Sequence, residues 1–342
     1  MKEALYNVKE NGKIHCTLCP HHCKIGGGRS GICNVRENRN GKLYTTNYGW
    51  VSALGVDPIE KKPLYHFYPG SPILSLGSFG CNLSCRFCQN WQISQMPGDF
   101  DFKLAGQKKS PKDIIQVVKS MDNSLGIAYT YNEPIIYYEY MLDIAKEIKS
   151  LGLKNVMVSN GYINLEPLHE LLPALDACNI DLKAFTNGFY KKQTGASLQP
   201  VLDSVKAIHE AGVHLELTNL IIPGLNDDTT TFKKMIDWIL QELGPEVVLH
   251  LSRYFPGYHS EIPATDIGVM NTLYNYAAEK LNFVYKGNLR DVDAATTYCP
   301  SCKNVLIKRD GYRTVNAGVA PDGTCKQCGT NVFNHFSADY LA

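Results

Sequence analysis

Eleven of the twelve cysteines fall into three tight groups, and that grouping constrains the chain more than any other feature. The groups are Cys16-x2-Cys19-x3-Cys23-x9-Cys33, Cys81-x3-Cys85-x2-Cys88 and Cys299-x2-Cys302-x22-Cys325-x2-Cys328, leaving Cys178 alone. In a short secreted chain such a count reads as a disulfide framework. Local runs separated by two or three residues, with no signal peptide ahead of them, favour metal instead. Residues 1–15 are polar and mixed in charge, and no apolar run approaches the length that spans a bilayer. A cytoplasmic protein without a membrane partner is the expectation.

At 342 residues the chain can bury one large core and still carry small satellites. Lysines and arginines (34) nearly balance aspartates and glutamates (33), so no strong field points to a nucleic-acid partner. Strand-like and helix-like patterns alternate between about residues 71 and 290. Six strands are predicted, at 72–78, 126–131, 155–159, 177–182, 213–222 and 247–251. The clearest helix is 230–243, with Phe232, Met235, Ile236, Ile239, Leu240 and Leu243 on one face; others are 138–150 and 201–211, ending at Gly152 and Gly212. Six β/α units are too few for the eight-stranded barrel. The expectation is an α/β fold, a partial (β/α)6 TIM-like barrel whose site gathers at the strands' carboxyl ends. Residues 1–70 and 291–342 flank it as cysteine-rich, metal-binding extensions, each too poor in large apolar residues for an ordinary core.

Cys81, Cys85 and Cys88 follow the first strand, in the loop that would crown the sheet. Three thiolates can hold a four-iron cube from one side, leaving one iron open to chelate the amine and carboxylate of a methionine-type cofactor. The plainer alternative is a zinc site, or a cluster completed by a remote fourth cysteine. Cys178 is the only candidate for that role, and it sits in an apolar run where cysteine is ordinarily a small buried hydrophobe.

The motif resembles that of the radical SAM superfamily, in which an aromatic residue, here Phe87, precedes the last cysteine. More specifically, residues 71–256 look like the pyruvate formate-lyase activating-enzyme branch. That branch's strand-end signatures reappear as Ser159-Asn160-Gly161, Asp181-Leu182-Lys183 and Ile222-Pro223-Gly224 followed by Asn226-Asp227-Asp228. Cys16–Arg36 and the C-terminal ribbon with Gly311-Tyr312 further resemble the AmmeMemoRadiSam-system enzymes, which are commonly encoded near AMMECR- and MEMO-type proteins. The resemblance implies a [4Fe-4S] cluster, S-adenosylmethionine, an electron donor such as flavodoxin or ferredoxin, and a 5′-deoxyadenosyl radical that abstracts hydrogen from a substrate. It departs from the branch at one element: Tyr131-Asn132-Glu133-Pro134 stands where Gly-Gly-Glu-Pro is usual. The loop must then take an allowed conformation or use the Asn132 side chain.

Asn132, Glu133, Ser159, Asn160, Asp181, Lys183, Asn219 and Arg253 are the strand-end candidates for binding the cofactor; no catalytic residue is assigned. Asp181 and Lys183 equally suit a solvated charge pair, and Arg253 a structural ion pair. Cys299, Cys302, Cys325 and Cys328 form two knuckles of a zinc-ribbon type, with rubredoxin-like iron the lesser alternative. Cys16, Cys19, Cys23 and Cys33 suit zinc or a second iron–sulfur cluster, and their spacing does not choose. The leading expectation is an oxidoreductase that activates or modifies a partner protein, with a small molecule or RNA as alternative targets. An electron-transfer protein without radical chemistry stands behind it.

Overall fold

The computed structural model describes residues 1–341 apart from 11 and 98. Its centre is one eight-stranded sheet: β1 (Ala53–Pro58), β2 (Pro72–Gly77), β3 (Gly126–Tyr129), β4 (Lys154–Ser159), β5 (Ala177–Asp181), β6 (His214–Ile221), β7 (Val248–Arg253) and β8 (Phe283–Gly287). Spatial order follows chain order. β2 to β8 are parallel, and β1 pairs antiparallel with β2. The six predicted strands are all present, so the six β/α units stand as read, and the sheet gains a strand at each edge. β1 and β8 are the outer edges, so among the described residues the barrel stays open.

Crossover helices α1 (Pro111–Lys119), α2 (Tyr138–Ser150), α3 (Leu165–Leu171), α4 (Gln199–Glu210), α5 (Thr229–Leu243) and α6 (Ile267–Ala278) supply the parallel connections. α5 shows why. Asp228 caps its first turn, accepting from the Thr230 and Thr231 amides, and Gly244, at φ +84°, ends it. Phe232, Met235, Ile236, Ile239 and Leu243 are buried. Leu240, expected on that stripe, is instead 36% exposed at its edge.

Strand alternation sorts the two faces. Ile127, Tyr129, Met157 and Ile180 pack with the helices; Ala128, Val156 and Ala177 pack with Ile59, Leu64 and Phe67 on the other side. The segment between β1 and β2 therefore fills the barrel interior. Cys178 is fully buried on the helix side, as a small hydrophobe would be.

Before β1 lie two small antiparallel sheets, one built from Lys2–Glu3, Lys42–Thr45 and Arg36–Arg39, the other from Asn7–Glu10, Lys13–Cys16 and Lys24–Ile25. After β8, Thr297–Tyr298, Val305–Asp310 and Arg313–Asn316 form a third. Arg309 from this last sheet is 1% exposed, stacks 4.2 Å over the Tyr65 ring, and donates to the Tyr65 carbonyl (2.7 Å) and the Thr297 hydroxyl (2.7 Å). It ties the C-terminal ribbon to the floor of the barrel. The floor itself centres on the buried Glu216 carboxylate, which takes bonds from His250 (2.6 Å), His214 (3.0 Å) and the amides of Tyr65 and His66.

Candidate active site

β2 runs out at Gly77, and residues 78–80 carry the chain to Cys81 at the carboxyl-terminal rim of the sheet. The cysteine loop has little regular structure of its own, so its backbone is held by neighbours. Ser84 and Arg86 amides donate to the Thr194 and Gln193 carbonyls (2.9 and 3.1 Å), and the Leu83 amide approaches Cys81 Sγ at 3.3 Å. Gly195, at φ +73°, lies so close that a Cβ there would stand 2.8 Å from Ser84 Oγ.

Cys81, Cys85 and Cys88 line one cavity of about 440 Å³, shared with Asn132, Glu133, Ser159, Asn160, Asp181 and Lys183. Among the described residues these three thiols do not all lie within 4.8 Å of one another, as the ribbon cysteines do. Burial pushes Cys85 up to about 12 and raises Cys81 and Cys88, so iron must displace protons to bind there.

The acidic centre of the cavity is Glu133. Its carboxylate accepts from the Ser159 hydroxyl (2.7 Å), the Asn160 amide (2.8 Å) and the Ile135 amide (3.1 Å). Burial pushes it up to about 7 against the pull of those donors. Beside it, Asn160 Nδ2 donates to Asn82 Oδ1 (2.9 Å) and lies 3.8 Å from Cys81 Sγ. Lys183 Nζ pairs with Asp181 at 2.9 Å. Burial acts most strongly against the Lys183 ammonium, but the Asp181 carboxylate, together with the neighbouring Cys85 and Tyr190, holds Lys183 above its ordinary range. Asn226, from the Asn-Asp-Asp signature, bonds the Lys183 and Leu220 carbonyls, both at 2.7 Å, and locks this rim.

The missing glycine pair has a structural answer. Tyr131 adopts φ +70°, a conformation glycine would take without strain. Its hydroxyl donates to Asp57 (2.8 Å), Lys62 sits 5.0 Å from its ring centre, and Asn90 bonds its carbonyl. Gly77 makes room: a Cβ there would lie 2.9 Å from the Tyr131 ring. The Asn132 amide is spent inside the protein, accepting from the Ser78 amide (2.8 Å) and donating to the Gly80 carbonyl (2.9 Å).

Asn219 and Arg253 do not line the cavity. Asn219 bonds the Leu182 carbonyl (2.6 Å), and Arg253 bonds the Thr265 carbonyl (2.8 Å) and stacks on Phe255. Each is one residue out of register. Thr218, Leu220 and Ser252 occupy the cavity wall because alternate side chains share a face. The sequence reading also passed over Lys61, Lys62, Thr130, Asn90 and Asn288, which complete the wall. The strand period could have found Thr218 and Ser252; the others come from strand ends, from loops or from the segment between β1 and β2.

In the ribbon, Cys299 and Cys328 Sγ are 3.5 Å apart and Cys302 and Cys325 Sγ 3.6 Å, with all four within 4.8 Å. These four could bind one metal ion. Cys16, Cys19, Cys23 and Cys33 border a separate, apolar cavity.

An open α/β barrel with three free thiols at the carboxyl-terminal rim, beside a polar wall, places the chain in the partial-barrel class with a candidate metal-binding rim. The chain belongs to the Radical SAM superfamily, whose profile matches residues 76–239. An uncharacterized protein of Methanocaldococcus jannaschii is 42% identical over 97% of this chain and 99% of its own length. The pyruvate formate-lyase-activating enzyme of Clostridium pasteurianum is 27% identical over 63% of this chain and 81% of its own. A radical SAM methyltransferase from Sphaerobacter thermophilus superposes with a TM-score of 0.52 at 12% identity, covering 70% of this chain and 71% of that one, a likeness of fold. A Radical SAM domain implies a [4Fe-4S] cluster and S-adenosylmethionine. No helix among the described residues is long and apolar enough to cross a membrane.

Proposed function

We propose that Cys81, Cys85 and Cys88 hold the [4Fe-4S] cluster and that Glu133, Ser159, Asn160, Asp181 and Lys183 hold S-adenosylmethionine beside it, for hydrogen abstraction from a glycine of a partner protein. The observation that carries this is the convergence of three thiols, a buried carboxylate and a lysine–aspartate pair on one cavity at the strands' carboxyl ends. When bound, the cluster supplies the electron that cleaves the sulfonium. The residues do the rest. The Glu133–Ser159–Asn160 network offers acceptors for an ammonium, and Lys183 offers a cation for a carboxylate, the two ends of a methionyl group. The glycine target is drawn from relatives named as activating enzymes. A reduced flavodoxin or ferredoxin is the proposed electron donor. A structural zinc ion at Cys299, Cys302, Cys325 and Cys328 completes the reading, supported by their tight spacing. Boundaries at about 1–70, 71–290 and 291–342 are proposed for the three parts; Lys61 and Lys62 of the first also border the cavity.

The test is anaerobic. With clusters reconstituted and a reductant added, the chain should form 5′-deoxyadenosine from S-adenosylmethionine, and Cys85→Ala should abolish it together with the cofactor-induced change in the cluster's spectrum. No product from the native chain, or an unchanged spectrum in Cys85→Ala, sinks the assignment. Incubation with a candidate glycyl-radical enzyme whose glycine residues carry deuterium would then report the target, as deuterium transferred into 5′-deoxyadenosine.

A further inference from the structure

The proposed chemistry leaves the N-terminal cysteines without a task. Cys16 ends a strand, while Cys19, Cys23 and Cys33 follow on loops, and the four border one apolar cavity with Arg36 and Asn82. Two other cysteine sets in the same chain calibrate their spacing. Zinc–sulfur bonds of about 2.3 Å in a tetrahedron set sulfurs ~3.8 Å apart. The ribbon quartet matches this, with pairs at 3.5 and 3.6 Å. Among the described residues, no three of the N-terminal ligand atoms lie within 4.8 Å of one another, and the same holds for the catalytic triad. An iron–sulfur cube, with one thiolate at each corner, spreads its ligands far wider than a single ion does. We propose that Cys16, Cys19, Cys23 and Cys33 hold a second four-iron cluster, closed by four thiolates, that passes single electrons to the catalytic site.

Two further observations support it. Arg36 is 1% exposed, borders the cavity, and keeps its Nε–H without a partner, although its Nη2 pairs with Glu139 at 3.0 Å. A buried donor of that kind suits an anionic sulfide or thiolate acceptor. The two cysteine loops also touch. Gly80, next to Cys81, has φ +88°, and a Cβ there would lie 2.7 Å from the Cys33 carbonyl oxygen. His21 Nε2 bonds the Asn82 carbonyl at 2.7 Å, and Asn82 follows Cys81 directly. The transfer balances simply: one electron enters from a low-potential one-electron donor of the flavodoxin or ferredoxin type, and one leaves toward Cys81. No bond or proton changes hands. The site stands by itself; only the electron transfer rests on the proposed function.

The full chain, reconstituted anaerobically with iron and sulfide, should hold about eight iron atoms and about one zinc. The variant Cys81→Ala/Cys85→Ala/Cys88→Ala should keep about half the iron, with a dithionite-reduced paramagnetic resonance signal that S-adenosylmethionine does not perturb. Cys16→Ala/Cys33→Ala should lose that half and keep the cofactor-sensitive signal. Its ratio of flavodoxin-driven to dithionite-driven 5′-deoxyadenosine formation should fall by about tenfold or more. A triple variant with no sulfide-bound iron and a second zinc overturns the site, the ribbon's own zinc showing that the chain has folded. An unchanged ratio overturns the transfer. If the native chain forms no 5′-deoxyadenosine while the triple variant keeps its cluster, the proposed function fails and the site stands.

Discussion

Gly80 and Tyr131 both sit at positive φ on the rim, and they solve the problem differently. Gly80 has no Cβ, and none fits, because the Cys33 carbonyl and the Val35 side chain occupy the space. Gly80→Ala should cost at least about 1–3 kcal/mol through backbone strain, with the steric clash in addition. Thermal denaturation would show it as a clear fall in midpoint, and a midpoint equal to the native one would refute the contact. Tyr131 accepts the strain and is held by Asp57, Lys62 and Asn90. The departure from Gly-Gly was visible in the sequence. Its remedy was not, because Asp57 and Lys62 lie some seventy residues earlier and only the fold brings them near. Asn219 and Arg253 teach a narrower lesson. Chemical type singled them out, whereas the two-residue period of β6 and β7 hands the cavity to Thr218 and Ser252.

Among the elements, α6 shows a terminus carried by one side chain. Asp266 accepts from the Gly268 amide at 2.7 Å and the Val269 amide at 3.3 Å, satisfying two donors of the first turn. Asp266→Ala should destabilise the protein by about 1 kcal/mol, whereas Asp266→Ser should recover most of it. Equal urea midpoints for the two variants would argue against a capping role. Six of the seven parallel strands were legible because both their faces are buried and they read as apolar runs. β1 was not: it carries Gly55 and ends in Pro58, and Val56 is 58% exposed. β8 was missed as well: its apolar run is only Phe283–Tyr285 before Lys286-Gly287. The ribbon's cysteines announced themselves by spacing alone, whereas nothing in the sequence marks Arg309, which is buried and anchors the ribbon.

Acid stability is a property of the whole molecule, set on the barrel floor. His66 is 4% exposed, its Nε2 lies 2.7 Å from the Tyr285 hydroxyl, and burial pushes it down to about 3 from an ordinary 6.5. Burial likewise pushes His335 down to about 4. Between those values and 6.5 the unfolded chain binds more protons than the folded one. Their contribution to stability is therefore full above pH 6.5 and is lost as pH falls toward the folded values. Urea midpoints between about pH 7 and 4.5 should drop with acid, and His66→Gln should flatten that slope even as it lowers the midpoint at neutral pH. A slope the variant leaves unchanged would remove His66 from the account. The same floor has a consequence for traffic. Thr218 bonds Asn179, Asn179 bonds the Pro63 carbonyl, and Glu216, His66 and Arg309 seal what lies beneath. These buried contacts fill the space beneath the cavity. If the target is a protein, as proposed, cofactor and target share the opening of the cavity at the strands' carboxyl ends, and exchange of the cofactor waits for the target to leave.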